Sequence, residues 1–194
     1  MKKKYFLAVL LIFTISIDAW SDSRPSVRRQ LLAIDALKND SAAIVKLEEL
    51  VKTGDLTPEE SLRANARIIM RANSLQQFAK SVKLANDGIL AARKNGLDSL
   101  EGAFNAIAGA TNYFMELKKE AIEYFKEAIR IAQKNNFWEM EANCSHNAAG
   151  AMVDLADFKN AETFLLNGLH IRESHRSEQS HGYLLSMRVL ATLY

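Results

Sequence analysis

Apolar residues between positions 116 and 136 recur at the spacing of one face of an α-helix. In the stretch ELKKEAIEYFKEAIRIAQKNN the apolar stripe consists of Ala121, Ile122, Phe125, Ala128, Ile129 and Ala132. Tyr124 and Ile131 form a second apolar strip beside it, so we expect other elements to cover this helix on two sides. Opposite charges three positions apart are predicted on its solvent side: Glu123 with Lys126, and Glu127 with Arg130.

Most of this pattern returns 40 residues earlier and 40 residues later. Four sets of residues keep that interval: Ser81, Ala121 and Ala161; Ala85, Phe125 and Leu165; Gly88, Ala128 and Gly168; Ile89, Ile129 and Leu169. Another helical segment precedes each of these helices, and Gly109 and Ala149 are small residues near the centres of two of them. Self-similarity at this period predicts an all-α solenoid of antiparallel helix pairs.

The repeat resembles the tetratricopeptide repeat (TPR). That pattern has a small residue in the middle of helix A, then small, aromatic and small residues along helix B. The best match is Gly109, Ala121, Phe125 and Ala128; the others are Ala149, Ala161, Leu165 and Gly168, then Ser81, Ala85 and Gly88 without the aromatic, and a degenerate first unit at Ala43, Leu47 and Leu50. The resemblance covers residues 27–194 and implies a right-handed superhelix.

The sequence departs from the ordinary TPR in two ways. Its period is about 40 rather than 34 residues, and the usual proline at the end of helix B is absent. Long repeats of this kind resemble the MalT-like variety and the periplasmic TPR regions of some bacterial membrane signalling proteins.

The N-terminus has the pattern of a secretory signal at residues 1–21. Lys2, Lys3 and Lys4 precede an apolar run of 13 residues, Tyr5–Ile17, and Ala19-Trp20-Ser21 offers a cleavage site. The run is shorter than the ~20 residues that span a bilayer, and an uncleaved anchor is the alternative. Residues 22–26 are expected to be a polar linker. We therefore expect export, to the periplasm of a Gram-negative bacterium.

Composition argues for a folded, helical and electrically neutral body. The 194 residues include only two prolines and eight glycines, and 48% are hydrophobic. Without residues 1–21 the basic and acidic residues are equal in number, so nucleic-acid binding is not expected. The single cysteine, Cys144, excludes an internal disulfide and is expected to be a buried, inert residue, a reactive thiol being the alternative.

Local signals mark the ends of the predicted helices. The strongest is Thr57-Pro58-Glu59-Glu60, a capping box with proline at the first helical position. Other predicted boundaries are a start at Pro25-Ser26, a break and cap at Asn39-Asp40-Ser41, a stop at Gly54, a turn at Asn73-Ser74, stops at Asn95-Gly96 and Asn136, an opening at Phe137-Trp138 and a cap at Asp157.

The last segment, 180–194, is predicted to be a helix A without a partner. Its apolar residues are Tyr183, Leu184, Met187, Leu190 and Leu193. Because solenoids usually end in a polar capping helix, we expect either a longer protein that continues the array or a second subunit, such as a homodimer partner, on this helix.

The resemblance places candidate binding residues on the concave face, lined by helix A. These positions are Arg63, Ala66, Met70 and Asn73; Ala103, Ala106, Ala110 and Tyr113; Asn143, His146, Gly150 and Val153, with Phe114 and Asp154 adjacent. The alanines predict an open groove with an aromatic edge, suited to an extended peptide or a partner helix. Packing of this face against another domain of the same protein is the alternative.

Other kinds of site find little support in the sequence. The lysines and asparagines of a TPR carboxylate clamp are absent, and so are a phosphate loop and the GxSxG and HExxH motifs. A zinc or copper site could be imagined at His170, His175 and His181 with Glu173 and Glu178, but their spacing matches no metal motif, and neither a metal nor a cofactor is predicted.

The sequence therefore predicts an exported, non-catalytic scaffold or sensor module that binds a protein or peptide. One alternative is the periplasmic sensory part of a membrane-bound diguanylate cyclase (GGDEF) or similar signalling protein, attached to the membrane by an uncleaved signal or by a span beyond these residues. Another is a small-molecule sensor, with its ligand near Tyr113, Phe114 and His146.

Overall fold

The structure is a computed structural model that describes residues 24–53, 55–176 and 180–194. These residues form nine α-helices, which run as α1 Pro25–Asp35, α2 Asp40–Lys52, α3 Pro58–Ser74, α4 Phe78–Lys94, α5 Asp98–Phe114, α6 Lys118–Asn135, α7 Trp138–Asp154, α8 Phe158–Ser174 and α9 His181–Leu190. The predicted signal peptide, the linker residues 22 and 23, Gly54 and Glu178 lie outside the described residues.

The helices pack as the predicted antiparallel pairs. Each helix contacts its neighbour in sequence, and α3 also contacts α5, α5 contacts α7, and α7 contacts α9. The helices α3, α5, α7 and α9 therefore form one layer, the A layer, while α2, α4, α6 and α8 form a second, outer layer. This is the solenoid of helix pairs that the 40-residue period predicts.

Three apolar clusters follow one another along the solenoid, each centred on the small and large residues of the repeat. Phe125 and Leu165 are fully buried in the last cluster, Phe104 and Ala85 in the middle one, and Leu31 in the first. A methyl group added at Gly109 would lie 2.7 Å from the Phe125 ring, and one at Gly88 would lie 2.4 Å from the Phe104 ring. Small residues at these positions thus allow neighbouring helices to approach closely.

The turns that follow α3 to α8 share one backbone geometry. A residue with positive φ follows or nearly follows each of these six helices, at Gln76, Gly96, Glu116, Asn136, Ala156 and Arg176. After Gln76, Gly96, Glu116, Asn136 and Ala156 the next amide donates to a carbonyl five residues back, as from Leu117 to Asn112 (2.9 Å) and from Asp157 to Met152 (2.9 Å). This is the Schellman arrangement, which satisfies the last carbonyls of a helix.

Two predicted boundaries are wrong. Asn73 and Ser74 are the last residues of α3 rather than a turn, since the positive φ comes two residues later, at Gln76. Asp157 lies at the N-cap of α8, with φ −86° and ψ 65°, but its side chain makes no capping hydrogen bond and accepts instead from Asn160 (2.7 Å).

The capping box and the buried cysteine are confirmed. Thr57 accepts from the Glu60 amide and Glu60 accepts from the Thr57 amide. Cys144 is 1% exposed, and burial raises the pKa of its thiol to about 12. Among residues 24–53, 55–176 and 180–194, no helix is both long and apolar enough to cross a bilayer.

Candidate functional site

The alanine face of the middle unit is closed, which corrects the predicted open groove. Ala103, Ala106 and Ala110 are only 4–7% exposed. Their small side chains allow α5 to pack between α3 and α7, so the neighbouring A helices cover the positions that a peptide would have to reach. The large exposed apolar side chains of the A layer lie on its end helices, as Met70, Leu184 and Met187 do, and in the turns that follow its helices. Gly150 of α7 is half-buried, with open space beside it.

Tyr113 and Asp154 join consecutive A helices at such a turn. The Tyr113 hydroxyl donates to the Asp154 carboxylate over 2.8 Å, from the end of α5 to the end of α7. Tyr113 is buried, while Asp154 remains partly exposed. Burial, and the hydrogen bond to Asp154, raise the pKa of Tyr113 above its usual value, so the phenol stays protonated and remains a donor. Phe114 lies beside it in an edge-to-face contact with ring centres 6.2 Å apart.

Lys118, at the start of α6, completes this cluster. Its ammonium lies 3.3 Å from the centre of the Tyr113 ring and donates to the Tyr113 carbonyl over 3.0 Å. It also lies 3.4 Å from Asp154 and 3.3 Å from Glu116. The Lys118 side chain is only 10% exposed, and burying its charge costs free energy unless the charge is paired. Here two carboxylates, a carbonyl and an aromatic face surround it. The cluster is therefore a satisfied structural network rather than a reactive one.

Asn73 holds the corresponding place one unit earlier. Its amide donates to the Thr111 hydroxyl over 2.9 Å, which joins α3 to α5. The Asn73 Oδ1 atom is buried without a hydrogen-bond partner among the described residues. Both Asn73 and Tyr113 thus fix the spacing of successive A helices.

His146 and Asn143 lie together in a second polar cluster, between α7, α8 and α9. The His146 Nδ1 atom is 2.9 Å from the Ser186 hydroxyl, which donates to the Gly182 carbonyl at 2.9 Å. Asn143 accepts from Arg172 over 2.5 Å. His146 is 3% exposed, and burial together with nearby Arg172 and Arg188 lowers its pKa to about 4, so it is neutral at pH 7.

The remaining predicted residues lie apart from these clusters. Arg63 is buried and pairs with Glu59 of its own helix over 2.6 Å. Met70 is 38% exposed on α3. The structure therefore brings together Tyr113, Phe114 and Asp154, brings together Asn143 and His146, and places Arg63 and Met70 separately.

Sequence reasoning missed Lys118 and Arg172. Lys118 follows the positive-φ residue Glu116, and its contact with Asp154 joins residues far apart in the sequence. Arg172 stands 40 residues after Ala132 and 80 after Ala92, both fully buried, so it is a large charged residue at a small core position. This departure from the repeat pattern is the sequence signal that identifies Arg172.

The histidines near the C-terminus do not gather into a metal-binding group. His175 stacks on Trp138, with ring centres 4.4 Å apart and planes 9° apart. Within the part of the chain that the structure describes, no three His, Cys, Asp or Glu side chains come together in a way that could hold a metal ion.

Comparison with known proteins supports the fold. No protein-family model and no curated protein matches the chain. The crystal structure of BtubC (BKLC) from P. vanneervenii superposes with a TM-score of 0.67 at 16% identity, over 88% of this chain and 66% of that one, slightly under two thirds of its length.

Two further crystal structures show the nearly identical TPR-like repeats of a kinesin-light-chain-type protein from Podosopora anserina. They superpose with TM-scores of 0.66 and 0.65, both at 18% identity and over 87% of this chain, covering 81% and 82% of those chains. At these identities the likeness concerns the fold, and the chain is a TPR-like α-solenoid.

Proposed function

We propose that the chain is a non-catalytic scaffold that binds an amphipathic segment of a protein partner along one edge of the A layer. The observation that carries this proposal is a row of exposed apolar side chains 40 residues apart, Leu75, Met115 and Leu155, which we term the turn ridge. They are 38%, 37% and 42% exposed and occupy the same place in three successive turns. Exposed apolar surface that recurs with the repeat favours protein interaction.

The turn ridge adjoins polar groups that could orient a partner. Met115 directly follows Tyr113 and Phe114, and Leu155 directly follows Asp154, whose carboxylate is partly exposed. Phe158, 53% exposed at the start of α8, extends the apolar surface. An apolar centre with charged groups beside it is the usual composition of a protein interface.

Site-specific photo-cross-linking in the native host tests this proposal. A benzophenone amino acid at Met115 is expected to trap one discrete partner, whereas the same group at Leu90 is expected to trap none. Leu90 is a suitable control because it is 64% exposed on α4, in the outer layer. Equal adducts at both positions, or adducts at Leu90 alone, would contradict the proposal.

We also propose that the scaffold works outside the cytoplasm, as a sensory module of a membrane signalling protein. Three lysines followed by an apolar run support export. An antibody against residues 24–176 would test both parts by cell fractionation. A periplasmic or membrane-bound product much longer than 194 residues is expected, and a cytoplasmic product would contradict export.

A further inference from the structure

The groove between neighbouring outer helices is filled by an aromatic ring in the middle of the solenoid. Tyr124 of α6 is half-buried, packs against the cluster shared by α3, α4 and α5, and donates from its hydroxyl to Asn86 of α4 over 3.2 Å. Forty residues later Phe164 of α8 packs against the following cluster. A ring at this position closes the space between one outer helix and the next.

Leu84 of α4 is the residue at the equivalent position one unit earlier. Its side chain is shorter and lacks a ring, and a cleft of about 320 Å³ lies between α2, α3 and α4. The cleft has an apolar floor, formed by Val51, Ile68 and Leu84. Its volume is at the lower end of the range of small-molecule sites. The missing ring therefore leaves a cleft at a position where the later units have an aromatic side chain.

Charged side chains surround this floor. Lys52, Lys80 and Lys83 line the cleft together with Glu48 and Asp87, so cations are in excess. Lys80 is paired with Glu48 over 2.8 Å. Lys52 and Lys83 form no ion pair with any described residue, and two cations beside an apolar floor favour an anionic ligand. Asn65, half-buried on α3, adds an amide that makes no side-chain hydrogen bond within the described ranges.

We propose that this cleft binds a small aromatic carboxylate. The ring would lie on Ile68 and Leu84 in the place that Tyr124 occupies in the next groove, and the carboxylate would face Lys52 and Lys83. The site is distinct from the turn ridge, because it lies between outer helices rather than beside the A layer. Binding here would pin α2 to α4 and so stiffen the first units of the solenoid.

The test is a titration of the ¹⁵N-labelled chain with 4-hydroxyphenylacetate, followed by amide chemical shifts. Saturable shifts are expected at residues of α2, α3 and α4, with a dissociation constant on the order of 1 mM, as befits so small a ligand. Tyramine, which has the ring but a cationic end, and acetate, which lacks the ring, are expected to bind at least fivefold more weakly. Equal shifts with tyramine, or shifts outside these helices, would overturn the proposal.

Variants of the cleft give an independent readout. Leu84→Tyr is expected to fill the space as Tyr124 does, to leave the melting temperature unchanged or higher, and to weaken binding at least tenfold. Lys83→Gln is expected to weaken binding about threefold, while Lys119→Gln, on the exposed surface of α6, leaves it unchanged. If Leu84→Tyr does not fold, the comparison of Lys83→Gln with Lys119→Gln still tests the proposal. Equal binding by these two variants would overturn it.

Discussion

Single residues set the direction of the chain at the turns that follow α3 to α8. The positive φ values at Gln76, Glu116 and Ala156 belong to residues with a Cβ, which makes the left-handed conformation less favourable than it is for glycine. Sequence analysis found the turns at Asn95-Gly96 and Asn136, where the residue types announce this conformation. The left-handed conformation at Gln76, Glu116 and Ala156 could not be predicted from the sequence, because these residue types do not favour it. The packing of the two flanking helices imposes it.

Replacing Ala156 by glycine is therefore expected to stabilise the protein. Its φ of 58° would no longer be strained, and the free energy of unfolding should rise by about 1 kcal/mol. Urea denaturation measures the change. Ala33→Gly, at an exposed position of α1, is the matched control and is expected to destabilise by about 0.5–1 kcal/mol. A loss of stability in Ala156→Gly as large as in the control would contradict the assigned turn geometry.

His146 links the stability of the C-terminal units to pH. Its folded-state pKa of about 4 lies below the ordinary 6.5, so the unfolded chain binds a proton more readily than the folded one. Above pH 6.5 the buried histidine does not lower the free energy of unfolding. As the pH drops from 6.5 to 4, the free energy of unfolding falls by about 2–3 kcal/mol because of this residue.

The His146→Gln variant tests this linkage. Its unfolding free energy is expected to vary less between pH 7 and pH 4 than that of the wild type. His170→Gln, at an exposed position of α8, should keep the wild-type dependence. If His146→Gln retained the full wild-type slope, the buried and neutral state of this imidazole would be wrong.

At the scale of one element, α3 is tied to the preceding chain through its first turn. The buried Glu60 carboxylate accepts from the Thr57 amide, from the Arg24 amide over 3.0 Å and from the Arg24 guanidinium over 2.9 Å. The capping box was predictable from four consecutive residues. The Arg24 contacts were not, since they join residues 36 apart and depend on how α1 packs.

Loss of the Glu60 charge is expected to destabilise the N-terminal units. Hydrogen bonds from Arg24 lower the pKa of Glu60 to about 2 from 4.5, so its stabilising effect is complete above pH 4.5 and is lost as the pH falls towards 2. Glu60→Gln should lower the free energy of unfolding at pH 7 by about 1–3 kcal/mol. In this variant the free energy of unfolding should also fall less between pH 5 and pH 3 than it does in the wild type. Glu120→Gln, exposed on α6, should change neither the free energy of unfolding at pH 7 nor its dependence on pH.

At the scale of the whole molecule, the 40-residue period positions both the core and the candidate sites. The period predicted the helix pairs and the buried Ala121 and Phe125, whereas the resemblance to the tetratricopeptide repeat implied that Tyr113 and Asp154 belong to the layer of A helices. It could not predict that the alanine face would close, because that depends on how near α5 comes to α3 and α7. Nor could it predict the cleft at Leu84, where leucine stands at the position that Tyr124 and Phe164 hold in the later units.

Overpacking one repeat position tests this register. Ala121 is fully buried where α6 meets its neighbours, so Ala121→Trp should cost about 1–3 kcal/mol or more and broaden or abolish the cooperative melting transition. Glu120→Trp, one residue earlier and exposed, should leave the transition near that of the wild type. Similar melting curves for the two variants would show that the helix faces are misassigned.

The most direct test of the whole account is the affinity for the partner trapped at the turn ridge. Its dissociation constant should be measured by titration calorimetry with the wild type, Met115→Glu and Leu90→Glu. We expect at least a tenfold loss of affinity for Met115→Glu, because a charge interrupts the apolar turn ridge, and no change for Leu90→Glu on the outer layer. An unchanged affinity in Met115→Glu, or an equal loss in both variants with the fold intact, would contradict the claim that this edge binds the partner.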